Sequence, residues 1–276
     1  MPEQCVLRFR KVHGAGNDFV LVTGTAEDLD KDWADTARRL CARRTGIGAD
    51  GLVISAPLTT GPDLRGGGVA CFNADGSVAT MCGNALRCAA WCTANDSGAA
   101  VKDMRLVMAG VEHQAQVRDD GVWVTAEVGP VEPRRVQVVL GGRPIWFDSV
   151  HTGTEHVVAV VPDVDDIDAV VYGRLVRNHH DLAPLGTNVN FIQTAGSQEL
   201  KIRTYERGVE AETLSCGSGA VAAVVIAAMR GLVADKQVTV HNRSGTPLMV
   251  RPHAQRRGKA FWIGGPVTQT YEGELG

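Results

Sequence analysis

An α+β fold made of two similar domains is what this 276-residue sequence predicts, and three observations carry that expectation. The chain repeats itself: "VHGAGNDFVLV" from Val12 is echoed by "VHTGTEHVVAV" from Val150, and "GADGLVI" from Gly48 by "GTNVNFI" from Gly186, each 138 positions on (150 − 12, 186 − 48). Stretches such as "GVWVTAEVG" and "RVQVVLGG" alternate with the period of half-buried strands. Each half also carries one run of small apolar residues behind a Cys-Gly pair, "MCGNALRCAAW" from Met81 and "ETLSCGSGAVAAVV" from Glu212. Together these predict two structurally similar domains related by a pseudo-twofold axis. Each is a curved, mostly antiparallel sheet around a central helix, with an active site in the cleft between them.

The elements follow in order. The first half opens with strand, His-containing turn and apolar strand, then a helix over 33–43 and the "GADGLVI" strand. "GVACFNADGS" is a strand running through an aromatic residue into a polar turn, and a helix over 84–95 follows, ended near Gly98. The second half repeats this with a helix over 166–178, "LKIRTYERGV" as strand and turn, and a helix over 217–231 ended by Gly231. The hinge is expected near Asp119-Asp120-Gly121, and a last strand at 267–271 crosses back to the first half. The domains are therefore 1–120 with the returning segment 266–276, carrying Cys82, and 121–265, carrying Cys216. Duplicated halves bring equivalent residues to one place, so the two cysteines are expected to face each other.

Composition narrows the function. Hydrophobic residues at 44% against 21% charged supply real cores, and a net charge of −3 gives no electrostatic case for nucleic acid or an anionic membrane. The apolar run 220–229 is too short to span a bilayer. "MPEQCVLRFRKV" has charges where a signal peptide needs an apolar core, so a cytoplasmic address is expected. Seven cysteines are an odd number in a long chain and do not form a disulfide framework, which leaves core, metal-ligand and nucleophile roles. A homodimer is the expected assembly for a soluble enzyme.

The setting of two cysteines is distinctive. A helix N-terminus presents unpaired N–H groups and the positive end of the macrodipole. Gly83-Asn84 and Gly217-Ser218 place small or capping residues there, so an anion such as a carboxylate can approach the backbone. The same field favours thiolate over thiol. A thiolate on one side of a carbon and a thiol on the other can remove a proton and return one to the opposite face, which inverts a stereocentre without redox change. The α-hydrogen of an amino acid is weakly acidic, and pyridoxal phosphate is the usual electron sink. "GIGADG" at 46–51 lacks the lysine and spacing of a phosphate or dinucleotide loop, so no cofactor is expected. Fixed donors on the carboxylate then take over, each worth roughly 3–4 kcal/mol, in a site closed to water.

The remaining candidates are weaker. Cys5, Cys41, Cys71, Cys88 and Cys92 read as core; a zinc site from Cys82, Cys88 and Cys92 has the wrong spacing, and no metal is expected. His13 and His151 read as structural turn residues, while His156 stands between a surface and a site role. Glu206-Arg207, in the second polar turn, offers a carboxylate for an ammonium and a guanidinium for a second carboxylate. Asn73 occupies the equivalent first turn, and Asn17 and Asn188 lie near predicted strand ends.

"HGAGNDFV", "FNADGS", "MCGNALRC", "TNVNF" and "YERGVEAETLSCGSGA" resemble the signatures of the diaminopimelate epimerase family, in the family's order and over nearly the whole chain. The resemblance implies a pyridoxal-independent epimerase that interconverts LL- and meso-diaminopimelate. It implies that Cys82 and Cys216 are the acid/base pair and that Gly83, Asn84, Gly217 and Ser218 are the helix-end donors for the carboxylate. Glu206 would hold the α-amine and His156 assist the acid/base chemistry. Asn17, Asn73, Asn188 and Arg207 would hold the substrate, the last three around its distal centre. Two departures stand out. The family's Gly-Asn-Pro-His or Gly-Ser-Pro-His is here Gly153-Thr154-Glu155-His156, and Ala85 replaces the second glycine of Cys-Gly-Asn-Gly. Thr154 can still hydrogen-bond, but Glu155 puts a charge in place of a proline. A carboxylate there suits a cationic side chain better than a zwitterionic one, so a racemase of another, basic, amino acid is the alternative. A non-catalytic amino-acid-binding protein and a zinc-binding structural protein are the readings from other classes.

Overall fold

A computed structural model describes residues 6–59, 65–97 and 102–276; Cys5 and Gly98 lie outside the described residues. The chain divides into two units: the residues up to Val124 together with Gly265–Gly276, and Thr125–Gly264.

The first unit begins with the hairpin of β1 (Leu7–Gly14) and β2 (Asn17–Thr23), closed by a two-residue turn in which Ala15 (φ 53°) and Gly16 (φ 86°) are both left-handed. That backbone twist joins antiparallel strands directly. Helix α1 (Ala34–Cys41) follows, then β3 (Gly51–Thr59), β4 (Arg65–Asn73), α2 (Gly83–Asp96), β5 (Asp103–Met108), β6 (Val111–Arg118) and β7 (Gly121–Glu127). Asp119-Asp120 lies a few residues before the passage between units. It is the tight turn of the β6–β7 hairpin, with Arg118 paired to Gly121 (φ 135°), and the division falls four residues later, inside β7. An acidic pair before glycine is chemically a turn or a linker, and only the pairing on either side tells them apart.

The second unit holds β8 (Val131–Leu140), β9 (Arg143–His151), β10 (Glu155–Val160), α3 (Ala169–Arg177), β11 (Asn188–Gly196), β12 (Glu199–Glu206), β13 (Ala211–Thr213), α4 (Gly217–Met229), β14 (Val238–His241), β15 (Leu248–Pro252) and β16 (Ala260–Gly265). Strand β17 (Val267–Leu275) returns to the first unit and pairs antiparallel with β1.

Both units run through the same pairing senses. In the order β17-β1-β2-β3-β4-β5-β6-β7 only the β2–β3 and β4–β5 pairs are parallel. In the order β8-β9-β10-β11-β12-β14-β15-β16 only β10–β11 and β12–β14 are parallel. Helix α2 packs on β1–β6 and β17, and α4 on β9–β12 and β15, so each sheet wraps one helix. Both helices bury nearly all sides, which is why small residues dominate them. Helix α4 stops at Met229, two residues before the expected end, where Gly231 (φ 70°) and Leu232 donate backward to the carbonyls of Ala228 and Ala227.

The repeat is not at one constant offset. Val12 faces Phe19 across the first hairpin, whereas Val150 faces His156 across the second, whose strands enclose one residue fewer. From there through β3 the offset is 137 (156 − 19, 190 − 53), and in β4 it is 133 (204 − 71). The buried face in the α1 core holds Val20, Leu52 and Phe72, and that in the α3 core holds Val157, Val189 and Tyr205, with the same cross-strand partners. A slip of one residue reverses every side chain in a strand, so facing distinguishes 137 from 138 where letters cannot. Structural counterparts are therefore Phe19 and His156, Val53 and Asn190, Cys71 and Thr204, Asn73 and Glu206. No helix among the described residues is long and apolar enough to cross a membrane.

Candidate active site

Cys82 and Cys216 are each the N-cap residue of a unit's central helix. Both backbones are extended (φ −141°, ψ 102° and φ −121°, ψ 113°), and neither sulfur caps the helix. Each carbonyl accepts the first helical bond, from Leu86 N and from Ala220 N, both at 3.0 Å. The first turns carry no acidic residue, so the dipole is left for an incoming anion.

In the first unit Cys82 is partly exposed and hydrogen-bonds to the fully buried Cys71 on β4. That bond first, and burial second, hold the Cys71 thiol well above the usual range, so Cys71 stays protonated beside the Cys82 sulfur. Asn84, almost fully buried, sits in a directed chain. Arg87 Nη2 donates to Asn84 Oδ1, Asn84 Nδ2 donates to Asn17 Oδ1 at 3.0 Å, and Asn17 Nδ2 donates to Asp50 Oδ2 at 2.7 Å. Arg43 holds Asp50 Oδ1 at 2.7 Å, and Asp18, paired with Arg43 and Lys11, receives the backbone N–H of Asp50. Arg87 has no exposure and, among the described residues, no carboxylate partner; its Nη1 reaches the Pro266 carbonyl at 3.2 Å, its Nε has no partner among them, and burial pulls its pKa down to about 10. Asn73 stays in its own turn, donating to Ser77 Oγ at 2.9 Å, and does not join this chain.

In the second unit His156 is fully buried, with Nε2 2.9 Å from Ser218 Oγ and Nδ1 3.1 Å from Asn190 Nδ2. Burial, then the nearby Arg207 and His151, push its pKa down to about 3, so it is neutral. Ser218 Oγ lies 3.5 Å from Cys216 Sγ, and Thr152 Oγ1 donates to the Ser218 carbonyl at 3.1 Å. His156 thus reaches Cys216 through Ser218. Gly219 permits the packing: a Cβ there would stand 2.7 Å from Asn190 Oδ1 and 3.3 Å from Cys216 Sγ.

A second cluster joins Thr154, Asn188 and Arg207. Arg207 Nη2 donates to Thr154 Oγ1 at 2.8 Å, Arg207 N donates to Asn188 Oδ1 at 2.9 Å, and Asn188 Nδ2 donates to the Glu155 carbonyl at 2.9 Å. The Glu155 carboxylate, half-exposed, instead faces His151 Nε2 at 3.9 Å. Glu206 accepts from Thr213 Oγ1 at 2.7 Å.

Cys41, Cys71, Cys88 and Cys92 are buried, and burial pushes the thiols of Cys41, to about 11, and of Cys88 and Cys92 upward. Among the described residues the group of metal-ligand atoms within 4.8 Å of one another is His179, His180 and Asp181, so Cys82, Cys88 and Cys92 do not gather into a ligand set. Sequence reasoning missed Asn190, Thr204, Arg87 and Asp50. The signal for Asn190 and Thr204 was present as polar residues inside otherwise apolar strands, and for Arg87 as a lone charge in a helix of small residues.

Two features define the class: a duplicated α+β unit, and a cysteine at the mouth of each unit's buried helix. Solved structures share this fold over essentially the whole chain. A hydroxyproline epimerase from Agrobacterium vitis superposes with a TM-score of 0.76 at 15% identity, covering 100% of this chain and 94% of that one. A PhzF-family phenazine biosynthesis protein from Enterococcus faecalis gives 0.71 at 13%, covering 98% and 99%. The model of the family described as diaminopimelate epimerase matches residues 9–133 and 149–265. Diaminopimelate epimerases of Aquifex aeolicus (37% identity over 279 residues, 98% of each chain) and Methanocella arvoryzae (34% over 282, 98% of this chain and 96% of that) are similar end to end. The chain belongs to the diaminopimelate epimerase family and is an isomerase of the cysteine-based, pyridoxal-independent epimerase and racemase class.

Proposed function

We propose that this protein interconverts LL- and meso-diaminopimelate, with Cys82 and Cys216 as the two bases at one α-carbon. The observation that carries the choice of substrate is Arg207. Among the described residues its guanidinium has no acidic partner; it donates to Thr154, while Asn188 holds the Arg207 backbone N–H. A half-buried guanidinium with no acidic partner attracts a carboxylate and repels a cationic side chain. That favours a substrate with a second carboxylate over a basic amino acid, because Glu155, the residue that spoke for a basic one, turns its charge toward His151.

In this reading the first turns of α2 and α4, at Gly83-Asn84 and Gly217-Ser218, grip the carboxylate at the reacting centre. Glu206 holds the α-amine; Asn17, Asn73 and Asn188 hold the rest of the substrate. One sulfur, as thiolate, takes the α-proton while the other, as thiol, returns a proton to the opposite face. The enzyme is proposed to act in the cytoplasm as a homodimer, which light scattering reads.

Deuterium wash-in from D₂O tests the substrate: exchange at the α-carbon with LL- and meso-diaminopimelate, and none with lysine, ornithine or hydroxyproline, is the expected result. Faster exchange with a basic amino acid overturns the substrate assignment. Cys82→Ala and Cys216→Ala should each abolish racemisation. Mild oxidation should link Cys82 to Cys216 and stop turnover reversibly; unchanged turnover in either alanine variant refutes the two-base scheme.

A further inference from the structure

We infer that Asn190 and Thr204 are positioning residues that fix the tautomer of His156 and thereby make Ser218 a hydrogen-bond donor to the Cys216 sulfur. The inference rests on the reading of Cys216 as a reacting thiol.

The direction of the chain follows from its fixed end. The Val157 carbonyl can only accept, so the amide nitrogen of Asn190, 3.0 Å away, must face it. The same nitrogen lies 3.1 Å from His156 Nδ1 and offers its second hydrogen, so Nδ1 presents its lone pair. Thr204 Oγ1 donates to Asn190 Oδ1 at 3.0 Å and locks the other end of the amide. A neutral imidazole with a bare Nδ1 carries its proton on Nε2, which then donates to Ser218 Oγ at 2.9 Å. The Ser218 hydroxyl, now an acceptor from His156, has its own proton left for Cys216 Sγ at 3.5 Å. A buried row of neutral groups, each with its donor sense set by the one before, thus ends on the sulfur and favours its thiolate.

The other unit shows that the fold does not need polar groups here. The counterparts of His156, Asn190 and Thr204 are Phe19, Val53 and Cys71, all buried, on the same paired strands. Burying an amide, an imidazole and a hydroxyl where a phenyl, an isopropyl and a thiol serve costs desolvation that packing does not require. Gly219 adds to this, since any side chain there would displace Asn190 Oδ1 or Cys216.

The test is Asn190→Asp in the full-length enzyme. A carboxylate can only accept, so it draws the imidazole proton to Nδ1; Nε2 becomes an acceptor, takes the Ser218 proton, and the sulfur loses its donor. Two readouts apply. Long-range ¹H–¹⁵N spectra should show the Nε2–H tautomer of His156 in the parent enzyme and protonated Nδ1 in the variant. Iodoacetamide alkylation, followed peptide by peptide across pH, should slow about tenfold for Cys216 at pH 7, as for a thiol raised by about one unit, with the Cys82 profile unchanged. Ser218→Ala should produce the same shift, and adding Asn190→Asp to it should produce no more. His156→Gln, which keeps a nitrogen donor toward Ser218, should restore most of the parent profile where Asn190→Asp does not fold. An Nδ1–H parent tautomer, or an unmoved Cys216 profile in folded Ser218→Ala, overturns the inference. Loss of the epimerase reading looks different: no deuterium wash-in, with the Nε2–H tautomer intact.

Discussion

At the scale of single residues, burial has chosen protonation states that composition leaves open. His156 is neutral at physiological pH because its folded pKa lies near 3, below the unfolded value near 6.5. Below pH 6.5 the unfolded chain binds a proton that the folded one does not, so stability falls as pH drops toward 3, by about 1.4 kcal/mol per unit from this residue. Urea midpoints at pH 7 and pH 5 should reveal it: His156→Gln should shrink the loss between them by about 2 kcal/mol. An equal loss in both proteins would mean that His156 is protonated in the fold. Arg87 is the reverse case, a buried cation whose only side-chain partner among the described residues is the Asn84 amide oxygen. Lysine keeps the charge but loses the planar fork, so Arg87→Lys should free the Asn84 amide to turn. KM should rise at least tenfold with little change in urea midpoint, and a KM within twofold of the parent would show that Arg87 does not orient Asn84.

At the scale of elements, the two central helices are positioned by their ends. Arg230, the C-cap of α4, makes two bonds to Asp148 on β9, at 2.6 and 2.7 Å, and Asp148 also accepts from the Arg134 N–H while only 1% exposed. Removing the guanidinium strands a buried carboxylate, so Arg230→Ala should cost roughly 3–5 kcal/mol by urea denaturation. A cost below about 1 kcal/mol would mean that water replaces the partner. At the other end Gly219→Ala drives a methyl to within 2.7 Å of Asn190 Oδ1. Overpacking of this kind costs roughly 1–3 kcal/mol, and Cys216 reactivity should change with it, whereas the same substitution at Gly231, with open space around it, should leave Cys216 untouched.

At the scale of the whole molecule, β17 is the strand that the chain order misplaces. In pairing sense it is the counterpart of β8, yet it arrives last, against β1. Ending the chain after Gly265 therefore strips one of two partner strands from Leu7–Gly14, leaving β2. Hydrogen exchange should rise in β1 first, and protection in β9–β12 should persist; loss of protection everywhere at once would show that the two units fold as one. Much of this organisation was legible. Periodicity announced strands and helices within about four residues at their ends, since amphipathic and all-buried segments write their facing into their letters. The residues expected near the hinge form a hairpin turn just before the division, because turn and linker share a chemistry. The repeat was read one residue out because similar letters on either side of a shortened turn do not reveal which face they occupy.

What the sequence determined by itself was the pair of Cys-Gly helix mouths, the duplication around them and the family to which both belong, because these are properties of residue type and spacing along one chain. What only the tertiary structure decided was which polar groups meet. Asn190 and Thr204 are distant in sequence from Cys216 and sit on separate strands; Arg87 and Pro266 are 179 residues apart. Hydrogen-bond direction depends on atoms brought within about 3 Å by packing, and no local pattern encodes that distance.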